Sequence, residues 1–231
     1  MKIRLFEVDS FTVKPFKGNP AAVCLLDQPR EDAWMQALAT ELLLSETAFL
    51  YPKGNDYDLR WFTPSTEVNL CGHATLASAH ILFELGLYDP DETIQFHTKS
   101  GVITATFDLG TITLDMPLIR PIPAVSTPLL EEILGQAPLD VAHSEDLAIL
   151  VAELADLDAL KALEPDFKKI ATLEEHNLVV TARCVTGEYD FVSRFFSPHT
   201  GIPEDPVTGL GHCTLTPYWA QKLDKDKFVA Y

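Results

Sequence analysis

The sequence predicts an α+β fold with two pseudo-symmetric halves, each made mainly of antiparallel strands around a central helix. Three observations support this prediction: a motif that occurs twice, a helical stretch that is apolar on nearly every side, and many short β-rich segments between turn residues. Because a duplicated sequence specifies similar structures, we expect the same assembly in both halves.

The repeated motif joins a strand, a proline turn, a Gly-His pair and a helix. Arg-Trp-Phe-Thr-Pro at residues 60–64 is followed by Cys-Gly-His-Ala-Thr-Leu at 71–76. Arg-Phe-Phe-Ser-Pro at 194–198 is followed by Leu-Gly-His-Cys-Thr-Leu at 210–215, with five more residues between the turn and the Gly-His pair. A single short match can arise by chance, but the shared order and chemistry favour duplication.

The first half is predicted to wrap its strands around one buried helix. Residues 74–85 carry apolar side chains around the whole helix, which is typical of a helix buried on all sides, and Gly86 is a suitable C-terminal stop. An outer helix is predicted over residues 30–43. The predicted strands are residues 2–8, 21–26, 47–51, 59–62, 93–97, 102–108 and 111–116.

The second half has fewer clear strand signals. An outer helix is predicted over residues 127–134, where Ser126 can cap the start. A further helical stretch covers residues 158–173, and Pro165 should break it. The predicted strands are residues 148–153, 178–182 and 189–196.

The counterpart of the central helix contains a proline. Pro217 fits this helix only within its first turn or two, because proline lacks the backbone N–H of an interior position. The proline-rich segment 117–128 is the predicted linker, so the halves should span residues 1–117 and 118–231. The apolar residues predicted for this helix are Leu215, Tyr218, Trp219 and Leu223.

The composition argues against several classes of partner. A chain of 231 residues can form two compact domains, and its net charge of −17 would repel nucleic acid and anionic membrane surfaces. No uninterrupted apolar run is long enough to span a bilayer. We therefore expect neither a nucleic-acid partner nor a membrane partner.

The cysteines indicate the compartment. None forms a C-x-x-C pair, and no Cys/His cluster has the spacing of a zinc site, so no metal is expected. Scattered cysteines suggest reduced thiols in a cytoplasmic protein. The charged N-terminal stretch is typical of a strand and not of a signal peptide. The four cysteines are Cys24, Cys71, Cys184 and Cys213.

Glu46 is the first candidate for chemistry. It lies where a helix should end and a strand begin, between small and apolar neighbours in Ser-Glu-Thr-Ala-Phe at 45–49. An apolar environment destabilises a carboxylate, so the pKa of Glu46 should rise, which would suit a proton shuttle at neutral pH. The alternative is an ordinary exposed glutamate.

Two glycine-containing segments are candidates for binding a substrate carboxylate. Gly72-His73 and residues 209–212, which contain Gly209, Leu210 and Gly211, are each predicted to precede a helix. Helix N-termini offer free N–H groups and a partial positive charge, and glycine lets the backbone approach a ligand. His73 taken alone is better explained as a helix cap or a hydrogen-bonded core histidine than as a ligand-binding residue.

Asp205 and Asn19 are weaker candidates. Asp205 lies in Glu-Asp-Pro-Val-Thr-Gly at 204–209, which is either a solvated Asp-Pro turn or a segment that presents Asp205 to a polar ligand or to His73. Asn19 lies in a Gly-Asn-Pro turn before an alternating strand, where its amide could reach a cleft between the halves. The spacing alone leaves both alternatives open.

Six segments together resemble the phenazine biosynthesis PhzF-like family. They occur in the family's order from residue 1 to about residue 220, and the combination is far more specific than any one of them. The segments are Val-Asp-Ser-Phe-Thr at 8–12, Gly-Asn-Pro-Ala-Ala-Val at 18–23, Ser-Glu-Thr-Ala-Phe at 45–49, Arg-Trp-Phe-Thr-Pro at 60–64, Cys-Gly-His-Ala-Thr at 71–75 and Glu-Asp-Pro-Val-Thr-Gly at 204–209.

The resemblance implies a diaminopimelate-epimerase-like fold of two barrel-like halves, a homodimer, no metal and no organic cofactor. The family's phenazine enzyme isomerises dihydro-3-hydroxyanthranilate by moving a hydrogen along the ring. By resemblance, Glu46 is the acid/base group, and His73 and Asp205 support it. The helix starts at Gly72 and at 209–211 then bind the substrate.

Two features depart from the family pattern. Leu210 stands where members usually have a serine that helps to hold the substrate, and a leucine side chain cannot donate a hydrogen bond. The backbone N–H groups would then have to bind a carboxylate. The sequence also stops at 228–231, whereas relatives continue with further strands, so the second barrel is expected to lack its final strands.

Three functional hypotheses follow. The leading one is an isomerase that moves a proton on a small carboxylate-bearing substrate through Glu46. The second is an amino-acid epimerase or racemase with one catalytic cysteine in each half; Cys71 stands at the right point, but Thr208 is its counterpart, so Cys71 is better explained as a small buried filler. The third is a non-catalytic ligand-binding or interaction protein, which Leu210 favours.

Overall fold

A computed structural model of the chain describes residues 3–185 and 187–231. The chain divides into two compact units, Met1–Pro117 and Leu118–Tyr231. Residue 2, where the first predicted strand starts, lies outside the described residues. No helix in the described part of the chain is both long enough and apolar enough to cross a membrane.

The first unit contains an eight-stranded, mainly antiparallel sheet in the order β1-β2-β3-β4-β6-β7-β8, with β5 paired to β4. Only β2–β3 and β4–β6 are parallel among these described pairs. All seven strands predicted for this half form, although β5 is not predicted. The strands are β1 (Arg4–Ser10), β2 (Asn19–Leu25), β3 (Glu46–Lys53), β4 (Asp56–Phe62), β5 (Glu67–Val68), β6 (Ile94–Thr98), β7 (Gly101–Asp108) and β8 (Thr111–Asp115).

The sheet of the first unit curls around a central helix, α2 (Gly72–Glu84). This helix packs against β1, β2, β3 and β8. Since β1 and β8 are the two ends of the sheet, a helix that touches both must lie inside its curl. Nine of the thirteen residues of α2 are buried, which confirms the prediction of a helix enclosed on nearly all sides.

A second helix, α1 (Asp32–Leu42), covers part of the sheet's outer surface. Its Met35 and Ala39 pack with Cys24 of β2 and Phe49 of β3. β2 and β3 therefore carry helices on both faces, which explains why they are almost continuously apolar in sequence and do not alternate.

The second unit contains a six-stranded sheet in the order β14-β13-β12-β11-β10-β9, in which only the pairing of β11 with β12 is parallel among these strands. The three predicted strands form, and β9, β10 and β14 are not predicted. The elements are β9 (Ile122–Pro123), α3 (Pro128–Leu134), β10 (Asp140–Ser144), β11 (Ile149–Leu154), α4 (Leu157–Ala162), α5 (Phe167–Ile170), β12 (Asn177–Arg183), β13 (Phe191–Ser197), a 3-10 helix (Pro198–Thr200), β14 (Ile202–Asp205) and α6 (Gly209–Leu223).

Both faces of the second sheet are covered by helices. In β11, Leu150 and Ala152 pack into a core with α3, α4 and α5, whereas Ile149 and Val151 pack with α6. This alternation follows from the two-residue period of a strand. The break at Pro165 separates α4 from α5 as predicted, but Thr127, and not Ser126, caps α3 by accepting from the Leu130 N–H.

Pro217 corrects one expectation. It lies in the third turn of α6, beyond the first two turns in which a proline was expected to be tolerated. A proline there leaves the carbonyl of Cys213 without its usual helical donor. The Ile119 N–H donates to this carbonyl at 3.0 Å instead, so the hydrogen bond lost within the helix is replaced from the start of the second unit.

The sequence repeat is also a structural repeat. Arg60 forms a bidentate pair with Glu67 and lies over the Phe62 ring, with its guanidinium carbon 5.2 Å from the ring centroid. Arg194 pairs in the same way with Glu204, over the Phe196 ring at 5.1 Å. Two arginines with the same two kinds of partner support the inferred duplication.

Candidate active site

Glu46 is the first residue of β3 and is buried. Helix α1 ends at Leu42, and its C-cap residue Leu43 adopts the left-handed conformation at φ 56°, which turns the chain toward the strand. In the parallel pairing of β2 and β3, Glu46 stands opposite Ala21. Its position between helix and strand confirms the placement predicted from sequence, and its burial excludes the alternative of an ordinary exposed glutamate.

The imidazole of His73 lies between the Glu46 carboxylate and a thiol. Its Nε2 is 3.3 Å from Glu46 Oε2 and 3.1 Å from Ser45 Oγ, while its Nδ1 is 3.5 Å from Cys71 Sγ. Burial lowers the pKa of His73 from 6.5 to about 4, because the charged form loses its hydration. His73 is therefore neutral near pH 7, so its 3.3 Å contact with Glu46 is not an ion pair.

The hydroxyl of Ser45 indicates which nitrogen of His73 carries the proton. Ser45 Oγ donates toward Asn19 Oδ1 at 3.2 Å and the Pro20 carbonyl at 3.3 Å. When Ser45 donates to either of these oxygens, it accepts from His73, and the imidazole proton is then on Nε2. Nδ1 is then the acceptor for the Cys71 thiol. Glu46 and Cys71 thus lie on the two nitrogen sides of the His73 ring.

Asn19 and Ser10 support this cluster from the first two strands. Asn19 is the first residue of β2, is buried, and pairs in register with Ser10 at the end of β1. Ser10 Oγ donates to the His73 carbonyl at 2.8 Å. The preceding Gly18 is required here, because a Cβ would lie 2.2 Å from the Ser10 carbonyl oxygen. The predicted role of Asn19 in binding substrate stays a prediction.

Cys71 has a closer relation to the site than the sequence suggests. It is the N-cap residue of α2 and is buried, as expected of a small filler. Its sulfur nevertheless contacts His73, which no spacing rule predicts. Each of the four cysteines, all of which the structure describes, is a buried thiol.

The two helix starts are equivalent at their first residues and not at their Gly-His pairs. Gly72 opens α2 after Cys71, and Gly209 opens α6 after Thr208. The expectation that Gly72-His73 and residues 209–212 each precede a helix is therefore wrong, because both segments lie in the first turn of their helix. His73 is the second residue of α2, whereas His212 is the fourth residue of α6, so the two histidines are not equivalent. The Nδ1 of His212 lies 2.9 Å from the Thr208 carbonyl oxygen.

The remaining predicted residues lie around the start of α6. Asp205 is the buried last residue of β14, and it accepts a hydrogen bond from Thr208 Oγ1, so it is not a solvated turn residue. Leu210 is half-buried and packs on the apolar cluster beneath α6. Gly211 has a packing explanation, since a Cβ would lie 3.3 Å from the Phe195 ring. The predicted pairing of Asp205 with His73 concerns two different units and stays a prediction.

The family model for phenazine biosynthesis-like proteins matches residues 8–230. An uncharacterized isomerase of Halalkalibacterium halodurans is 47% identical over 232 residues, covering all of this chain and 87% of the relative. An uncharacterized isomerase of Pseudomonas aeruginosa is 47% identical over 231 residues, covering all of this chain and 86% of the relative.

Solved structures agree with these sequence relatives. The crystal structure of a PhzF-family phenazine biosynthesis protein of Enterococcus faecalis matches with a TM-score of 0.89 and 38% identity, over 100% of this chain and 86% of that one. A predicted epimerase of Pseudomonas aeruginosa, at 21% identity and a TM-score of 0.73 over 98% of this chain and 84% of that one, shares the fold. With a family match over nearly its whole length and relatives that carry the name isomerase, the chain belongs to the phenazine biosynthesis-like protein family.

Proposed function

We propose that this protein is a cofactor-independent isomerase that moves a proton on a small carboxylate-bearing substrate, with Glu46 as the acid/base group. The observation that carries the proposal is the buried contact between Glu46 Oε2 and His73 Nε2, at 3.3 Å. A carboxylate that is held in one position, with a neutral imidazole beside it, has a partner for each of its protonation states.

The proposed step conserves the proton. The Glu46 carboxylate removes a proton from one carbon of the substrate, and the bond electrons delocalise toward the substrate carboxylate or ring. The protonated Glu46 then returns the proton to a different carbon, which gives the isomer.

The substrate carboxylate is proposed to bind at the helix starts. The first turns of α2 and α6 have backbone N–H groups without helical partners, at Gly72 and at Gly209–Gly211. The same groups would stabilise negative charge that develops on the substrate. Since the Leu210 side chain cannot donate a hydrogen bond, its contribution would be limited to the backbone. Asn19 and Asp205 complete the proposed set, with Asp205 supporting His73.

The family resemblance also supports a homodimer, and the scattered cysteines support a location in the cytoplasm. Light scattering coupled to gel filtration would test the dimer, because a homodimer has twice the 25.6 kDa mass of the chain. A monomer at the concentrations used for assays would contradict this part of the proposal.

Proton exchange in deuterated water tests the acid/base role. We would incubate the protein with cyclic dienoic acids, aromatic precursors and amino acids, and follow the loss of C–H signals by NMR. Glu46→Gln keeps the side chain's size but removes its basicity, so we expect exchange to fall at least a hundredfold, as is typical when a general base is lost. Glu41→Gln, at an exposed position of α1, is the matched control.

The outcomes separate the alternatives. Exchange that survives Glu46→Gln in a folded protein would refute the proposed role. Exchange at the α-carbon of an amino acid with inversion would favour an epimerase, for which the contact of Cys71 with His73 is the supporting observation. Ligand binding without exchange by the wild-type protein would favour a non-catalytic binding protein.

A further inference from the structure

Three side chains of the cluster are good ligands for a borderline-soft metal ion. Cys71, His73 and Glu46 each offer one donor atom, and the three atoms lie within 4.8 Å of one another. Zinc sites with an open coordination position are made from three protein ligands of these types. The spacing of these residues in the sequence does not predict the three-ligand set, because Glu46 is far along the chain from Cys71 and His73.

Two pairs of donor atoms are separated by distances that a tetrahedral zinc site allows, although the two pairs use different nitrogens of His73. Zinc–ligand bonds of about 2.0–2.3 Å place neighbouring donor atoms about 3.3–3.6 Å apart. The distance from Cys71 Sγ to His73 Nδ1 is 3.5 Å, and that from Glu46 Oε2 to His73 Nε2 is 3.3 Å. A single ion can bind only one of the two nitrogens of His73. The ligand that contacts the other nitrogen must therefore move toward the ion, from a position within 4.8 Å of the other two donor atoms.

The charges also favour a divalent cation. All three residues are buried, and a buried thiolate beside a buried carboxylate would be costly without compensation. A Zn²⁺ ion would neutralise one thiolate and one carboxylate, while the neutral imidazole supplies a lone pair without adding charge. Cys71 is the N-cap residue of α2, where the helix dipole stabilises a negatively charged sulfur.

A supporting residue is already in place. Histidine ligands of zinc usually donate the remaining ring N–H to an oxygen of the protein, which fixes the ring. For ligation through Nδ1, that acceptor is Ser45 Oγ, 3.1 Å from Nε2. Ser45 is in turn held by Asn19 Oδ1, so the ring orientation is fixed by two residues that are not themselves ligands.

We propose that Cys71, His73 and Glu46 bind a zinc ion with one coordination position left open, and that the bound ion inhibits the enzyme by occupying the Glu46 carboxylate. The inhibition rests on the proposed function of Glu46, whereas the binding does not. Zinc is then a ligand that competes with proton transfer at this site, and not a cofactor of the reaction.

Cobalt(II) reports on the binding without any assay of activity. Titration of the metal-free protein with cobalt should saturate at one ion per chain and give a thiolate-to-cobalt charge-transfer band with the visible bands of a tetrahedral ion. Cys71→Ser and Cys71→Ala should both lose the charge-transfer band and weaken binding at least tenfold. Cys184→Ser, at another buried thiol, is the matched control and should keep both. Circular dichroism of each variant verifies folding.

The results that overturn the site are equally clear. A folded Cys71→Ser protein that keeps the charge-transfer band, or a wild-type protein that binds no cobalt with this spectrum, refutes it. For the inhibition, zinc should reduce deuterium exchange at least tenfold, reversibly with a chelator, and Cys71→Ser should need at least tenfold more zinc. Undiminished exchange in zinc-saturated protein refutes inhibition. If Glu46→Gln leaves exchange intact, the proposed function fails, and the cobalt spectrum still decides whether the site exists.

Discussion

The buried His73 should make the protein less stable as the pH falls from about 7 to about 5. In the folded state the pKa of His73 is about 4, below its ordinary value of 6.5. Between these values the unfolded chain binds a proton that the folded chain does not, so stability is fully present above 6.5 and is lost as the pH falls toward 4. The full effect is about 3 kcal/mol, and the part between pH 7 and pH 5 is about 2 kcal/mol.

The assay is urea denaturation at the two pH values, with wild type, His73→Gln and His80→Gln compared. The wild-type protein should lose about 2 kcal/mol more than His73→Gln between pH 7 and pH 5. His80 lies on the exposed side of α2, so its replacement should keep the wild-type loss. Glu46 and Cys71, which face His73, are unchanged in all three proteins. Wild type and His73→Gln therefore differ only in the side chain at position 73. An equal loss in wild type and His73→Gln would refute the reasoning.

Two further substitutions test packing and charge by the same denaturation assay. Lys222→Met should cost about 2 kcal/mol, because Lys222 Nζ lies 2.6 Å from carboxylates of both Asp140 and Glu153, which stand opposite each other in β10 and β11. Lys222→Arg should retain most of the stability. If Lys222→Met left the free energy of unfolding unchanged, this account would be contradicted. Gly18→Ala should cost at least about 2 kcal/mol, because its Cβ would clash with the Ser10 carbonyl oxygen at 2.2 Å; wild-type stability would show that this backbone contact can relax.

The main elements of the fold could be predicted because their signals are local. Helix α2 is apolar around its circumference, and the first-unit strands are separated by turn residues. The strands that the sequence missed, such as β5 and β9, contain only two residues each, and their pairing depends on neighbours that are distant in the chain. Such short segments carry no periodicity of their own.

Single site residues could be predicted better than their contacts. Glu46 was recognisable because apolar neighbours surround a carboxylate between a helix and a strand. Its approach to His73, and the approach of Cys71 to the same ring, depend on how β3 and the start of α2 come together in three dimensions. The two Gly-His pairs match in sequence and therefore predict equivalent positions at the two helix starts. In the structure the equivalent residues are Gly72 and Gly209, which are the first residues of their helices.

Pro217 has a consequence for how the sequence can change. In most helices an interior proline would be a defect, and alanine there would be a simple improvement. Here an alanine would restore an N–H directed at the Cys213 carbonyl, which already accepts from Ile119, so two donors would share one acceptor. Because Pro217 has no N–H, the Cys213 carbonyl accepts from Ile119 without a second donor from the helix. We therefore expect positions 119 and 217 to vary together among related sequences.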